Sequence, residues 1–204
     1  MGTVTVLQCA REAGVKKVMY SSTSSGYGFN EPPNHEEQPD DCLNPYSVSK
    51  VSGEKLCSMY TKLFGLKTVI FRYFNVYGER SPLRGQYAPV IGIFLRQKND
   101  NEPLTIVSDG EQRRDFTHVS DVVSANVIAA VTDVSDEYYG TVYNIGNGVN
   151  YSINQIANAI SDNQINIAPR IGEARTTLAN NSKMRKVFDW EPMVDLFKWI
   201  SENK

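Results

Sequence analysis

LKTVIFRYF, Leu66 to Phe74, decides the fold class. A strand with one wet face alternates apolar and polar residues. This run is almost continuously apolar, aromatic or β-branched, as expected of a strand covered on both faces. The residues before it read as a helix. Asn44 can cap it, Pro45 suits its first turn, and the stripe Leu56, Met59, Tyr60, Leu63, Phe64 continues to a stop at Gly65. Upstream again, Thr3 to Ala13 puts Val6, Leu7, Ala10 and Ala13 on one face. Gly14 follows as a C-terminal stop, and then Lys16 to Ser22 as a strand.

The same alternation runs downstream. A short helix is predicted over Pro89 to Gln97, a strand at PLTIV and another at DFTHV. A helix follows over Val119 to Thr132, a strand over Thr141 to Ile145 and a helix over Ser152 to Ile160. A strand near Ile165 to Ala168 and polar helices at Ser182 to Phe188 and Asp195 to Ser201 complete the chain. This order implies an α/β fold, a parallel sheet between helices, with ligands bound beyond the C-terminal ends of the strands. The Pro-rich acidic stretch EPPNHEEQPDD is expected as a surface loop.

Composition narrows the partner. The 204 residues carry a net charge of −2 and no Lys/Arg block, which leaves no footprint for nucleic acid or an anionic membrane. A small molecule is expected instead. Cys9, Cys42 and Cys57 are odd in number and widely spaced, and two histidines do not complete a metal set, so the cysteines read as reduced thiols of a cytoplasmic protein. No apolar run approaches the roughly 18 residues of a membrane span.

The strand Lys16 to Ser22 delivers the chain into five hydroxyl side chains, Ser21 to Ser25. Such residues make turns by bonding their own backbone. They also serve where a site needs a hydroxyl. Tyr46 and Lys50 in NPYSVSK lie four apart on the next helix and so share a face. A YxxxK pair alone is as readily two surface residues. Placed after the hydroxyl-rich strand end, it can bring Tyr, Lys and a hydroxyl to one reacting atom, with the ammonium favouring a phenolate that takes a proton from an alcohol.

An ordered series of motifs adds a family resemblance: GTVTVLQCAREAGVKKVMYSSTSSGYG, NPYSVSK, FRYFNVYGERSP, DGEQRRDFTHVSDVV, YNIGNG, and RIGE followed by NNSK and WEP. Together they resemble the extended short-chain dehydrogenases/reductases, in particular nucleotide-sugar epimerases of the UDP-glucose 4-epimerase type. The resemblance implies the C-terminal part of a Rossmann-type doubly wound parallel sheet plus a small α/β substrate-binding region. Residues 1–80 would be the remaining NAD-binding part, and 81–204 mostly substrate region, with segments near 115–148 returning to the sheet.

It further implies NAD as cofactor, a UDP-sugar as substrate and a homodimer. Thr23, Tyr46 and Lys50 would be catalytic, and Ser21, Ser22, Tyr46, Lys50 and Tyr73 would bind the cofactor. Asn75, Ala88, Val90, Arg114, Arg170, Glu173 and Thr177 would hold the substrate, while Arg113 is expected as a solvated charge. A bulky residue at the position of Thr177 would exclude N-acetylated sugars. Related dehydratases carry an acidic pair just after the catalytic Thr and decarboxylases a Glu, where this chain has Ser24 and Ser25, which favours epimerisation.

The sequence departs from the family at two points. No GxxGxxG-type turn follows a strand, so the chain is expected to start in mid-domain, to be inactive alone and to self-associate. Asn180 stands where the family has Asp. A non-catalytic nucleotide-sugar-binding or interaction fragment, or a nucleotide-sugar dehydratase/decarboxylase relative, is the alternative reading.

Overall fold

The computed structural model describes residues 2–85, 88–169 and 174–204. The first helix, α1 (Gly2–Glu12), leads into β1 (Lys17–Thr23), and a 3-10 turn (Ser24–Tyr27) follows directly. After a loop come α2 (Pro45–Phe64) and β2 (Lys67–Tyr73). The α2 boundaries follow from its ends. Asn44 and Ser47 form a reciprocal capping box with Pro45 in the first turn, and Gly65 closes the helix in the left-handed region at φ 69°.

The short β3 (Val76–Tyr77) precedes α3 (Val90–Asn99) and β4 (Leu104–Val107). Then come β5 (Arg113–Asp115), β6 (Thr117–His118), α4 (Val119–Val131), β7 (Thr141–Ile145) and β8 (Asn150–Ser152). The chain finishes with α5 (Ile153–Ile160), β9 (Gln164–Ile167), α6 (Ser182–Phe188) and α7 (Leu196–Asn203).

β2 lies at the centre of a parallel sheet in the order β1-β2-β7. Both of its faces are covered, and Val69, Ile70 and Phe71 are fully buried. Leu7 of α1 and Cys57 and Tyr60 of α2 pack on one side, against Ile70. Val122, Ala125 and Ala129 of α4, with Met184 and Phe188 of α6, pack on the other, against Val69 and Phe71. Burial on both faces is why the sequence of β2 shows no alternation. Among the described residues β1 pairs with β2 alone, so its other edge has no strand partner.

A second core joins α3, β4, α5 and α7 through Phe94, Leu104, Ile156, Trp199 and Ile200. No helix among the described residues is long and apolar enough to cross a membrane.

Two expectations are corrected. DFTHV is not one strand: Arg113–Asp115 runs antiparallel to β8, while Thr117–His118 runs parallel to β3. The chain changes partner at Phe116, whose side chain goes into the second core. The stretch EPPNHEEQPDD is not simply a surface loop either. Asn34 is buried and its backbone exchanges hydrogen bonds with Leu178 and Asn180, while Glu36 Oε1 accepts the Asn144 N–H at 2.9 Å. The loop satisfies backbone groups that β7 and residues 178–180 would otherwise leave buried and unpaired. Burial pushes the Glu36 carboxyl above its ordinary range.

Candidate active site

The C-terminal ends of β1 and β2 present Ser21, Thr23 and Tyr73 together, since Thr23 is the register partner of Tyr73. Thr23 is buried and caps the 3-10 turn: its Oγ1 accepts the Ser25 N–H and donates to Ser25 Oγ, both at 3.1 Å. The hydroxyl cluster therefore builds a turn, and in doing so it fixes the Thr23 rotamer. Ser21 Oγ lies 3.2 Å from the Tyr73 hydroxyl, which also receives an N–H from Asn126 at 3.0 Å.

Tyr46 and Lys50 stand on α2 beside this strand end. Tyr46 is 49 % exposed. Lys50 Nζ donates to the Ser21 carbonyl at 3.0 Å and sits 6.0 Å from the Tyr46 ring centre. An ammonium has three N–H donors, so Lys50 retains capacity for a ligand diol at an open edge of the fold. α2 can lie this close to β1 because Gly53 has no side chain: a Cβ there would stand 2.1 Å from the Tyr20 hydroxyl. Ser22 points the other way, its hydroxyl donating to buried Glu54.

A cavity of about 470 Å³ opens next to the 3-10 turn, lined on that side by Ser24, Ser25 and Tyr27. Asn75, Ala88, Val90, Arg114 and Thr177 all line the same cavity. Arg170 and Glu173 lie outside the described residues. Asn75 follows β2 with φ 28°, a conformation Asn tolerates better than most side chains. Its amide donates to the Asp115 carbonyl at 2.8 Å and to Thr177 Oγ1 at 3.2 Å. Arg114 Nη1 donates to the carbonyls of Arg113 and Arg175, which fixes the guanidinium plane at the cavity wall.

Arg113 is not a solvated charge. Antiparallel pairing of β5 with β8 brings Asn150 alongside, and Arg113 donates to its side chain at 2.8 Å and its carbonyl at 2.7 Å. Behind the wall, fully buried Asp115 accepts the backbone N–H groups of Asn147, Gly148 and Ala179. Burial nevertheless pushes its carboxyl up to about 6.

Sequence reasoning missed Arg72 and Glu54, a buried ion pair under the turn. The spacing of Glu54 from Lys50, one helical turn on the same face, was the available signal. It also missed Gln112 and Thr105 in the cavity wall, which stand in no pattern that a single sequence exposes.

A parallel sheet with a half-exposed Tyr, a Lys one turn on and a fixed hydroxyl at the strand end is the arrangement of the short-chain dehydrogenase/reductase class. The model of the NAD dependent epimerase/dehydratase family matches residues 1–146, and the chain belongs to that family. A putative UDP-glucose 4-epimerase of Methanocaldococcus jannaschii is 34% identical over 98% of this chain and 66% of its own length. A UDP-N-acetyl-α-D-glucosaminuronate decarboxylase of Bacillus cytotoxicus is 39% identical over 78% of this chain and 49% of its own. Among solved structures, the UDP-N-acetylglucosamine 4-epimerase of Methanobrevibacter ruminantium in complex with UDP-N-acetylmuramic acid superposes with a TM-score of 0.91 at 30% identity, covering 98% of this chain and 66% of that one. The chain thus spans about two thirds or less of the length of these relatives.

Proposed function

We propose that this chain carries the proton-transfer and sugar-binding part of an NAD-dependent nucleotide-sugar 4-epimerase. The observation that carries the reading is the single cavity shared by Asn75, Ala88, Val90, Arg114 and Thr177, entered beside the turn that Thr23 caps. The residues suit the nicotinamide-ribose end of NAD, because Lys50 has unused donors next to an exposed Tyr46 and the Ser21 hydroxyl is exposed at the same strand end. The Ser22 hydroxyl is committed to Glu54, so its part in holding the cofactor falls to its backbone. When bound, NAD supplies reversible hydride acceptance, through which a 4-keto sugar forms transiently and is reduced on either face.

The side chains do the rest. Tyr46 takes the proton of the sugar 4-hydroxyl and gives it back, Lys50 lowers the cost of the phenolate, and Thr23 orients the reacting hydroxyl by hydrogen bonding. Arg114, with its planar fork, holds the diphosphate, and Asn75 meets the sugar end. Ser24 and Ser25 offer no carboxyl group for eliminating water or steering loss of carbon dioxide, which favours epimerisation over the reaction named for the decarboxylase relative.

The test joins residues 1–204 behind a glycine-rich βαβ unit of a relative and assays UDP-glucose against UDP-galactose. We expect Tyr46→Phe to lose about 10² to 10⁴ in turnover with UDP-sugar binding retained, and Thr23→Ala to lose less. Full turnover by Tyr46→Phe sinks the assignment of the base. Release of carbon dioxide from a UDP-uronic acid without epimerisation sinks the reaction class.

A further inference from the structure

Arg72 is the penultimate residue of β2, at the register of Ser22, and it is buried. Its Nε donates to Glu54 Oε1 at 2.9 Å, and its Nη2 donates to Glu54 Oε2 at 2.6 Å and to Asp40 Oδ1 at 2.7 Å. Glu54 also accepts the Ser22 hydroxyl, from the residue before Thr23. The Tyr27 ring lies over the guanidinium, with its centre 4.5 Å from Cζ. Gly26 packs close by, where a Cβ would stand 3.6 Å from Arg72 Cζ. One guanidinium thus touches three separate pieces of chain, the helix that carries Tyr46 and Lys50, the 3-10 turn beside the cavity and the loop leading to the Asn44 cap, and it reaches the strand end that carries Thr23 through Glu54.

Stability does not explain this cluster. Burying a guanidinium and a carboxylate costs several kcal/mol of solvation, and well-packed apolar residues often serve folding equally well. Here the guanidinium is not even fully paired, since Nη1 is buried without a hydrogen-bond partner. What charged, bidentate contacts provide is a fixed direction, which apolar packing does not.

Resting on the reading of Thr23, Tyr46 and Lys50 as the proton-handling set, we propose that Arg72 and Glu54 are positioning residues that lock α2 to the end of β1 and thereby set Tyr46 against Thr23. Neither touches the cavity. Glu54 lies one turn beyond Lys50 and two beyond Tyr46 on α2, so its hold on Ser22 and Arg72 fixes both the rotation and the height of that helix over the strand end.

The experiment compares the unchanged protein with Glu54→Leu/Arg72→Met, which replaces the pair by apolar side chains, and with Glu54→Gln. Deuterium uptake is followed over residues 21–28 and 40–44, with the Thr23 methyl coupling read by NMR, and kcat and KM are measured in the fused form described above. The double variant is expected to keep its unfolding midpoint within a few degrees. Its uptake at residues 21–28 should rise by about tenfold or more, and the Thr23 coupling should fall to a rotamer-averaged value.

In the fused form kcat should drop about 100-fold with KM nearly unchanged, the cost of a misplacement on the order of 1 Å. A folded double variant with unchanged uptake and coupling overturns the proposal, because a purely structural pair leaves the site geometry intact once repacked. If the double variant does not fold, Glu54→Gln decides by the same readouts: a smaller acceleration at residues 21–28 supports the proposal and none overturns it. The exchange readout needs no turnover. An inactive parent with a loosened Thr23 segment in the variant therefore sinks the epimerase reading alone, and an active parent with an unmoved segment sinks the positioning role alone.

Discussion

Asp115 shows how much a single side chain holds in this wall. Its two oxygens accept three backbone N–H groups, from Asn147 and Gly148 after β7 and from Ala179. Burial outweighs those donors and raises its carboxyl to about 6, against about 4 in an unfolded chain. The folded state therefore binds a proton more readily than the unfolded one. The stability from Asp115 is fully present below about pH 4 and is lost as pH rises through about 6. A carboxyl resonance titrating near 6 by NMR checks the shift. Asp115→Asn should remove that pH dependence from urea-unfolding free energies and cost about 1–3 kcal/mol, because an amide faces the N–H donors with only one acceptor. Thr177 sets a second expectation. It is small and lines the cavity, with its hydroxyl oxygen held by Asn75. UDP-N-acetylglucosamine should be processed alongside UDP-glucose by the fused form. Thr177→Tyr should cut turnover of the N-acetyl sugar relative to UDP-glucose by about 10- to 200-fold, measured as the ratio of kcat/KM values.

At the level of elements, α2 is where the fold and the site meet. Gly53 lies inside it, and on an exposed helix Gly→Ala would gain about 1 kcal/mol. Here the new Cβ would fall 2.1 Å from the Tyr20 hydroxyl and 2.4 Å from Cζ. Overpacking wins, so Gly53→Ala should lower stability by about 1–3 kcal/mol, seen as a lower midpoint in thermal or urea unfolding. It should also break the hydrogen bond of Tyr20 to the Lys50 carbonyl, 3.3 Å long. Long elements were legible because their signals are redundant: α2 has a cap, an N-terminal Pro, a stripe and a Gly stop, and β2 has an unbroken apolar run. β3 and β6 have two residues each, and β5 and β8 three, too few to show any period. Their existence depends on partners distant in sequence, which is also why the antiparallel grip of Arg113 on Asn150 could not be read. Tyr46 and Lys50 could be paired because helix geometry puts residues four apart on one face, whereas only the family resemblance singled out Thr23 among its hydroxyl neighbours. Arg72 was hidden because it reads as one polar residue in a strand, and only the packing of α2 across β2 gives it Glu54.

For the molecule as a whole, the proposed sugar side of the site has a built cavity among the described residues, whereas the 204-residue sequence holds no GxxGxxG pattern for a pyrophosphate-binding turn. The chain by itself is therefore expected to be stabilised by UDP-hexoses but not by NAD: a ligand at 100 times its Kd adds about 2.7 kcal/mol, a clear rise in unfolding midpoint. Micromolar NAD binding by calorimetry, with turnover, would show this expectation wrong. The edge of β1 that has no strand partner among the described residues, together with exposed Val6, Leu63 and Phe64, predicts self-association, visible in sedimentation. The hydrogen bond from Asn75 to Thr177 spans 102 positions of chain. On a ribosome adding 5–20 residues per second, that span is a delay of roughly 5 to 20 s. Throughout it, a nascent chain already owns Thr23, Tyr46 and Lys50 while the Thr177 side of the cavity is still being synthesised. The cavity wall is thus finished long after its first residues are made, and under the proposed function a sugar nucleotide would select only those copies to which Thr177 has been added.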